Sequence, residues 1–161
     1  MEYVIRAIKE EEIPLLNEFL YEAIYIPEGV PKPPKSIIHL PELEVYCQDF
    51  GKQRDDYGLI AEILGLPIGA VWARIMNDYG HIDDETPSLA LAVHEAYRGR
   101  GIGTALLRAM LELLKENGYR QASLSVQCAN PAFRLYQRLG FSPVDSIEGE
   151  TDQECIMTYV F

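Results

Sequence analysis

The sequence has few cysteines, and they are not spaced as metal ligands are. Cys47, Cys128 and Cys155 lie far apart, and none belongs to a CxxC pair or to a Cys/His cluster. An odd number of widely separated cysteines indicates neither a disulfide framework nor a zinc site. The histidines are equally dispersed. We therefore expect no bound metal, and we expect the cysteines to be buried free thiols.

Long apolar runs and an excess of basic residues are also missing. No stretch approaches the run of about 18 apolar residues that a membrane-spanning helix needs. The charged start of the chain lacks the apolar segment of a secretory signal. The formal net charge is -11, whereas nucleic-acid binding depends on clustered Lys and Arg. We therefore expect a cytoplasmic protein that binds neither a membrane nor nucleic acid.

The length and the hydrophobic periodicity predict one domain in which strands and helices are mixed. A chain of 161 residues, 48% of them hydrophobic, suffices for one buried core but not for two ordinary domains. Strand patterns occur at residues 3–8, 58–64, 68–76, 88–94, 121–127, 141–147 and 154–161, with a turn at 65–67. Helical patterns occur at residues 13–24, 41–50, 102–114 and 131–139, and a proline-rich loop occupies residues 26–36. We expect a single domain over residues 1–161 with a helix-covered mixed sheet.

A glycine-rich segment lies between an apolar strand and an amphipathic helix. Residues 98–104 are RGRGIGT, and successive backbone N–H groups at such a junction can converge on a phosphate. Side chains at Gly101 and Gly103 would obstruct the close approach of a diphosphate, and Arg98 and Arg100 could add charge-assisted contacts. The alternative is a tight turn with solvated arginines. The spacing fits neither GxxxxGK[ST] nor GxGxxG, which argues against a P-loop and a Rossmann site.

Two segments resemble motifs of the GNAT acetyltransferase family. Residues 98–103, RGRGIG, resemble its signature Q/R-x-x-G-x-G/A, and residues 130–141, NPAFRLYQRLGF, are similar to its N-x-x-A/S-x-x-L-Y-x-x-x-G-F. The resemblance implies an α/β (α+β) fold: a mixed, mostly antiparallel twisted sheet of about seven strands with about four helices and splayed central strands. It implies transfer of the acetyl group of acetyl-CoA to a primary amine by direct attack in a ternary complex. A non-catalytic acyl-CoA sensor is the alternative.

The resemblance also implies the residues of the cofactor site. The loop would hold the CoA diphosphate, and the fourth strand would line the pantetheine arm and supply a main-chain N–H for the oxyanion. The residues expected to bind the cofactor are Leu91, Ala92, Val93, Arg98, Gly99, Arg100, Gly101, Ile102, Gly103, Thr104, Asn130 and Tyr136. Asn130 is also a suitable helix cap before Pro131, and both roles can coexist.

The catalytic residues implied by the resemblance are Tyr136 and Glu85. Tyr136 would protonate the leaving thiolate, since a phenol pKa of about 10 is not far from a thiol pKa of about 8.5. Packing in the core is the alternative for this tyrosine. Glu85 is the first candidate for the base that deprotonates the amine, with Asp84 and Glu95 as others.

The acceptor and the oligomeric state are less defined by the sequence. Tyr21 and Tyr25, which precede the proline-rich loop, are candidate substrate-binding residues, although packing within small helices would explain them equally well. The expected partners are acetyl-CoA and an amine that the sequence does not identify. GNAT proteins are often dimers, so a homodimer is possible.

Overall fold

A computed structural model describes residues 2–148 and 153–161, in which seven strands form one mixed sheet. The strands are β1 (Val4–Ala7), β2 (Tyr57–Ile63), β3 (Leu66–Arg74), β4 (Ser88–Val93), β5 (Gln121–Gln127), β6 (Ser142–Glu148) and β7 (Gln153–Val160). Their order across the sheet is β1-β2-β3-β4-β5-β7-β6. Every neighbouring pair is antiparallel except β4 and β5. The predicted fold class is confirmed.

Helices cover both faces of the sheet. They are α1 (Leu15–Ala23), α2 (Pro41–Glu44), α3 (Ile102–Glu116) and α4 (Ala132–Leu139). Because successive side chains of a strand point to opposite faces, one face packs against the fully buried Leu106 and Met110 of α3, and the other buries Trp72 against Leu16 of α1. No helix in the described part of the chain is long and apolar enough to cross a membrane.

The parallel strands β4 and β5 separate soon after they begin. Only Ser88 with Ser123 and Leu89 with Leu124 are in register, although both strands continue beyond these pairs. From that point β4 pairs only with β3, and β5 only with β7. The predicted splay of the central strands is therefore present, and it opens a cleft in the middle of the sheet.

The hairpin between β2 and β3 turns earlier than the sequence predicted. Leu64 and Gly65 have φ angles of 50° and 82°, and two successive residues with positive φ match the twist of a tight two-residue hairpin. Leu66 and Pro67 consequently belong to β3, not to the turn. Pro67 is tolerated because the register shifts next to its partner Glu62, which is where a missing N–H costs least.

Helix α2 is shorter than the predicted helix at residues 41–50. The side chain of Arg74 explains the difference, since its Nη1 donates to the carbonyl oxygens of Val45 at 3.1 Å and Gln48 at 2.7 Å. Arg74 also forms a buried ion pair with Asp56 at 3.1 Å. This contact holds residues 45–50 as irregular turns against β3.

The expectation of three free thiols is wrong, because Cys128 and Cys155 form a disulfide. The two residues are distant in sequence, but the pairing of Val126 on β5 with Cys155 on β7 brings the two cysteine Cα atoms to 5.3 Å. Sequence spacing alone could not show this contact. Cys47 remains free and half-buried, and burial raises the pKa of its thiol to about 12, which makes it unreactive.

Candidate active site

The junction of β4 and α3 presents backbone N–H groups at the start of a helix. The first hydrogen bond of α3 runs from the Ala105 N–H to the Gly101 carbonyl at 3.0 Å. The N–H groups of residues 102–104 precede it and therefore have no acceptor within the helix. No side chain of the described residues caps this end. The arrangement favours an anion, because the helix dipole adds partial positive charge at the same place.

The glycines of this loop keep the approach to the backbone open. Gly99 and Gly101 have φ angles of +77° and +82°, and a Cβ added at either position would meet no described atom within 4 Å. Gly103 has no such conformational need, and its added Cβ would lie at ordinary contact distance, 3.7 Å, from Leu91. A side chain at Gly103 would therefore restrict mainly what approaches from outside the protein.

The two predicted phosphate-binding arginines differ in their surroundings. Arg98 donates from Nε to the Val93 carbonyl at 2.8 Å and from Nη2 to the Glu22 carbonyl at 3.3 Å. It therefore joins the end of β4 to α1 at the edge of the loop. Arg100 lies over the ring of Tyr97, with its Cζ 5.6 Å from the ring centroid.

A groove with a volume of about 1090 Å³ runs along this loop. Its walls are the β4–α3 junction, α1 with the proline-rich loop, and α4. The predicted site residues that line it are Tyr21, Tyr25, Leu91, Ala92, Val93, Arg98, Gly99, Gly101, Ile102, Gly103, Thr104, Asn130 and Tyr136. Of the predicted cofactor residues, only Arg100 is not among the described residues of this wall.

A smaller cleft, with a volume of about 110 Å³, lies where β4 and β5 diverge. Leu91, Asn130 and Tyr136 line both the groove and the cleft. The two cavities therefore meet at these residues. A long ligand in the groove can place its end between the strands, and a second molecule can reach that end from the cleft.

Tyr136 lies at this meeting point and also packs in the core. Its ring contacts that of Phe141 edge-on, with the centroids 6.0 Å apart. Burial raises the pKa of Tyr136 to about 12, so its hydroxyl is protonated at neutral pH. Asn130, beside it, accepts a hydrogen bond from the Ala132 N–H at 2.9 Å. This contact supplies the predicted cap of α4, while the residue also faces both cavities.

Glu85, the first candidate base, lies on an exposed loop before β4 and lines neither cavity. Its N–H donates to Asp83 Oδ1 at 2.8 Å. Asp84 is also exposed, with 96% of its side-chain surface accessible, and Glu95 lies at the edge of the large groove. The carboxylate in the lining of the small cleft is that of Glu154 on β7.

The polar face of β5 was not predicted from the sequence. Ser123 and Gln127 are buried, and the Ser125 Oγ lies 3.2 Å from the Tyr46 hydroxyl. The strict alternation QASLSVQ at residues 121–127 was the available signal. A central strand covered on both faces normally has apolar residues on both, so buried polar residues at every second position indicate a polar cavity.

The described residues contain no group of three or more His, Cys, Asp or Glu side chains arranged to hold a metal ion. The polar groups of the cavities are instead hydroxyls, amides, carboxylates, main-chain N–H groups and, in the large groove, the basic side chains of Lys32, Lys35, His94, Arg98 and Arg138. Such groups can bind an anion at one end of the groove and transfer protons at the other.

Sequence comparison relates the chain to known acetyltransferases. It is 36% identical to an N-alpha-acetyltransferase of Sulfurisphaera tokodaii in an alignment of 94 positions that covers 53% of this chain and 56% of that protein. It is 31% identical to an uncharacterized N-acetyltransferase of Bacillus subtilis over 130 residues, which are 80% of this chain and 45% of that protein. The chain thus spans about half the length of the curated relatives it matches.

Solved structures have the same fold. A PaiA N-acetyltransferase from Thermoplasma acidophilum in complex with coenzyme A superimposes with a TM-score of 0.71 at 22% identity, covering 100% of both chains. An N-acetyltransferase from Staphylococcus aureus gives a TM-score of 0.73 at 17% identity, covering 99% of both chains. The model of the acetyltransferase (GNAT) family matches residues 19–141. The resemblance seen in the sequence is thereby confirmed, and the chain belongs to the GNAT acetyltransferase family.

Proposed function

We propose that this protein transfers the acetyl group of acetyl-CoA to a primary amine. The observation that carries the proposal is the uncapped start of α3, which opens onto a groove that meets the cleft between β4 and β5. The relatives named as N-acetyltransferases support the same activity. A CoA-binding sensor without an acceptor is the competing hypothesis.

The CoA diphosphate binds the main-chain N–H groups of residues 102–104. The pantetheine arm then follows β4 into the cleft. Beyond Leu89, β4 has no partner on the side of β5, so its backbone can pair with the amides of pantetheine as it would with another strand. The Thermoplasma acidophilum protein with the same fold was solved in complex with coenzyme A, which supports coenzyme A as the ligand.

The acetyl carbonyl would then lie near Leu91, where the two cavities meet. Attack by the amine forms the C–N bond and places negative charge on the carbonyl oxygen, which a main-chain N–H of β4 stabilises. Collapse breaks the C–S bond, and Tyr136 protonates the thiolate. A phenol with a pKa of about 12 is a weaker acid than a thiol of about 8.5. Tyr136 must therefore regain a proton from the acylated nitrogen in the same step.

The acceptor enters from the small cleft. The excess of acidic residues attracts a cationic amine, and the relative named an N-alpha-acetyltransferase makes a peptide α-amine the first acceptor to test. Tyr21 and Tyr25 would contact the substrate from the groove wall, and the Tyr21 hydroxyl already fixes the proline-rich loop by donating to the Pro33 carbonyl at 2.6 Å. Glu85 as the base stays a prediction.

Several broader properties also stay predictions. We expect a cytoplasmic protein that needs no metal, binds no nucleic acid or membrane, and forms a homodimer. A disulfide that persisted in cells would argue against the cytoplasm, because thiols are kept reduced there. Subcellular fractionation with alkylation of free thiols would test this point.

The activity is tested by following the release of free CoA from acetyl-CoA with a thiol reagent. The panel should contain short peptides with free α-amines, lysine, a polyamine and an arylalkylamine. We expect amine-dependent CoA release with at least one class. Tight CoA binding without release from any amine would favour the sensor hypothesis.

A further inference from the structure

Asp78 is a buried carboxylate behind the acceptor cleft that the proposed chemistry has not used. It lies in the connection between β3 and β4, and its Oδ1 accepts a hydrogen bond from Ser88 Oγ at 2.9 Å. Its Oδ2 is buried, and the carboxylate also interacts with the Tyr46 hydroxyl and with the main-chain N–H of Gly80. Burying a charged carboxylate is costly even with such partners, and it therefore calls for a functional explanation.

Tyr46 connects this carboxylate to the cleft. Its hydroxyl lies 3.2 Å from Ser125 Oγ, and both residues line the cleft. Asp78 raises the pKa of Tyr46 further by its charge, beyond the main effect of burial. The hydrogen bond with Ser125 lowers the pKa of Tyr46 and the interaction with Asp78 raises it. Either hydroxyl of the Tyr46–Ser125 pair can donate, and the Tyr46 hydroxyl also interacts with Asp78, so the three groups form a continuous hydrogen-bond path from the cleft to Asp78.

The surrounding structure holds the hydrogen-bond path of Ser125, Tyr46 and Asp78 in place. Trp72 Nε1 donates to the Tyr46 carbonyl at 3.0 Å, and Arg74 fixes the neighbouring turns. Ser88 lies where β4 and β5 still pair, so Asp78 is anchored at the closed end of the cleft. Burial raises the pKa of Asp78 above that of an ordinary aspartate, which makes its ionised form a stronger base near neutral pH.

We propose that Asp78 takes up the proton of the acceptor ammonium through Tyr46 and Ser125, and that it is the positioning residue that makes the amine nucleophilic. This proposal rests on the proposed function. The ammonium gives a proton to Ser125 Oγ, Ser125 gives its proton to the Tyr46 oxygen, and Tyr46 gives its proton to Asp78. The product is a neutral amine and a protonated Asp78. After acetyl transfer, Asp78 returns this proton to solvent through Tyr46 and then Ser125.

Among the described residues, few charged or titratable groups surround the hydrogen-bond path of Ser125, Tyr46 and Asp78. Tyr46 faces Asp78 from the segment after α2, Ser88 faces it from β4, and Glu154 on β7 raises the pKa of Tyr46 by its charge. Loss of Asp78 should therefore move the acidic limb of the pH profile up towards the pKa of the free ammonium, since only the neutral amine can then react, while Glu154 continues to attract the ammonium.

The test compares Asp78→Asn with wild type, using the best amine from the panel and a fluorinated analogue whose amine is unprotonated at neutral pH. Asparagine keeps an oxygen for the Ser88 hydroxyl and removes an unfavourably buried charge, so the fold should be retained. We expect kcat/KM for the ordinary amine to fall about 100-fold or more at neutral pH. We also expect its acidic limb to move up towards the pKa of the amine itself. For the fluorinated amine, kcat/KM should fall by less than about tenfold, because this amine needs no initial deprotonation.

Controls separate the possible failures. Glu116→Gln, at the exposed end of α3, should leave both rates unchanged, and Tyr46→Phe should mimic Asp78→Asn because it interrupts the same hydrogen-bond path. An Asp78→Asn protein with the wild-type rate and pH profile overturns the relay but leaves the transferase intact. Equal losses with both amines also overturn it, since they indicate structural damage. A wild-type protein that acetylates no amine refutes the proposed function itself.

Discussion

Tyr136 has both a packing contact and a position at the junction of two cavities. The sequence motif predicted the position, and the helical pattern predicted the packing, so neither alone could decide its role. The structure shows that the two are compatible, because the ring touches Phe141 while the residue lines both cavities. The role of its hydroxyl in catalysis is a matter for experiment.

Replacing Tyr136 with Phe should reduce kcat by about 10²- to 10⁴-fold, the usual contribution of a positioned acid. The affinity for CoA should stay nearly unchanged, since the ring and its contacts remain. Steady-state kinetics and a CoA titration measure the two effects. Tyr159→Phe is a matched control, because Tyr159 also packs on Phe141. Wild-type turnover in Tyr136→Phe would remove this residue from the mechanism.

At the same scale, the proposed base was harder to predict than the proposed cofactor loop. The spacing of the glycines at a strand-to-helix junction is a local pattern, so the sequence alone predicts where free main-chain N–H groups will lie. Asp78, Tyr46 and Ser125 come from three separate parts of the chain, and only tertiary packing brings them together. Glu85 is near Asp78 in sequence, yet its loop directs it to the exterior.

At the scale of elements, hydrophobic periodicity predicted the positions of the strands well. It failed to predict the end of a helix where a side chain from a distant segment binds the helix backbone. All seven strands lie within a few residues of their predicted ranges. Helix α2 was overestimated because Arg74 on β3 takes the carbonyl oxygens of Val45 and Gln48. Such a contact between distant segments leaves no periodic signal in the sequence.

Replacing Arg74 with Leu should destabilise the protein by about 3–5 kcal/mol, because it leaves the buried Asp56 carboxylate without its partner. The side chains of Arg74 and Asp56 are only 4% and 0% exposed, so water cannot compensate. Denaturant unfolding measures the change. Arg108→Leu on the exposed side of α3 is the control and should change stability by less than about 0.5 kcal/mol. Equal stabilities for the two variants would contradict this account of the segment.

At the scale of the whole molecule, a disulfide joins the end of β5 to β7, which the chain connects through α4 and β6. The Cys128–Cys155 disulfide closes a loop with a sequence separation of 27. In the chain-entropy model, a loop of this size contributes about 3 kcal/mol or slightly more. Reduction should therefore lower the free energy of unfolding by about that amount.

Denaturant unfolding with and without reductant tests this expectation, with Cys47→Ser as the background so that no free thiol remains to exchange. In that background, thiol titration in denaturant should detect no free thiol before reduction and two after it. Two free thiols in the unreduced protein would show that the pair is not bonded in solution.

The central claim is that main-chain N–H groups at the start of α3 bind the diphosphate of CoA and thereby fix the cofactor in the groove. Calorimetric titration with CoA tests it most directly in wild type, Gly103→Glu and Gly103→Ala. An added Cβ at Gly103 has room inside the protein, and a glutamate in the first turn suits the helix. The glutamate variant should therefore fold. We expect wild type and Gly103→Ala to bind CoA and Gly103→Glu to bind about 100-fold more weakly, about 2.7 kcal/mol. A folded wild-type protein that does not bind CoA, or equal affinities in wild type and Gly103→Glu, would contradict the claim.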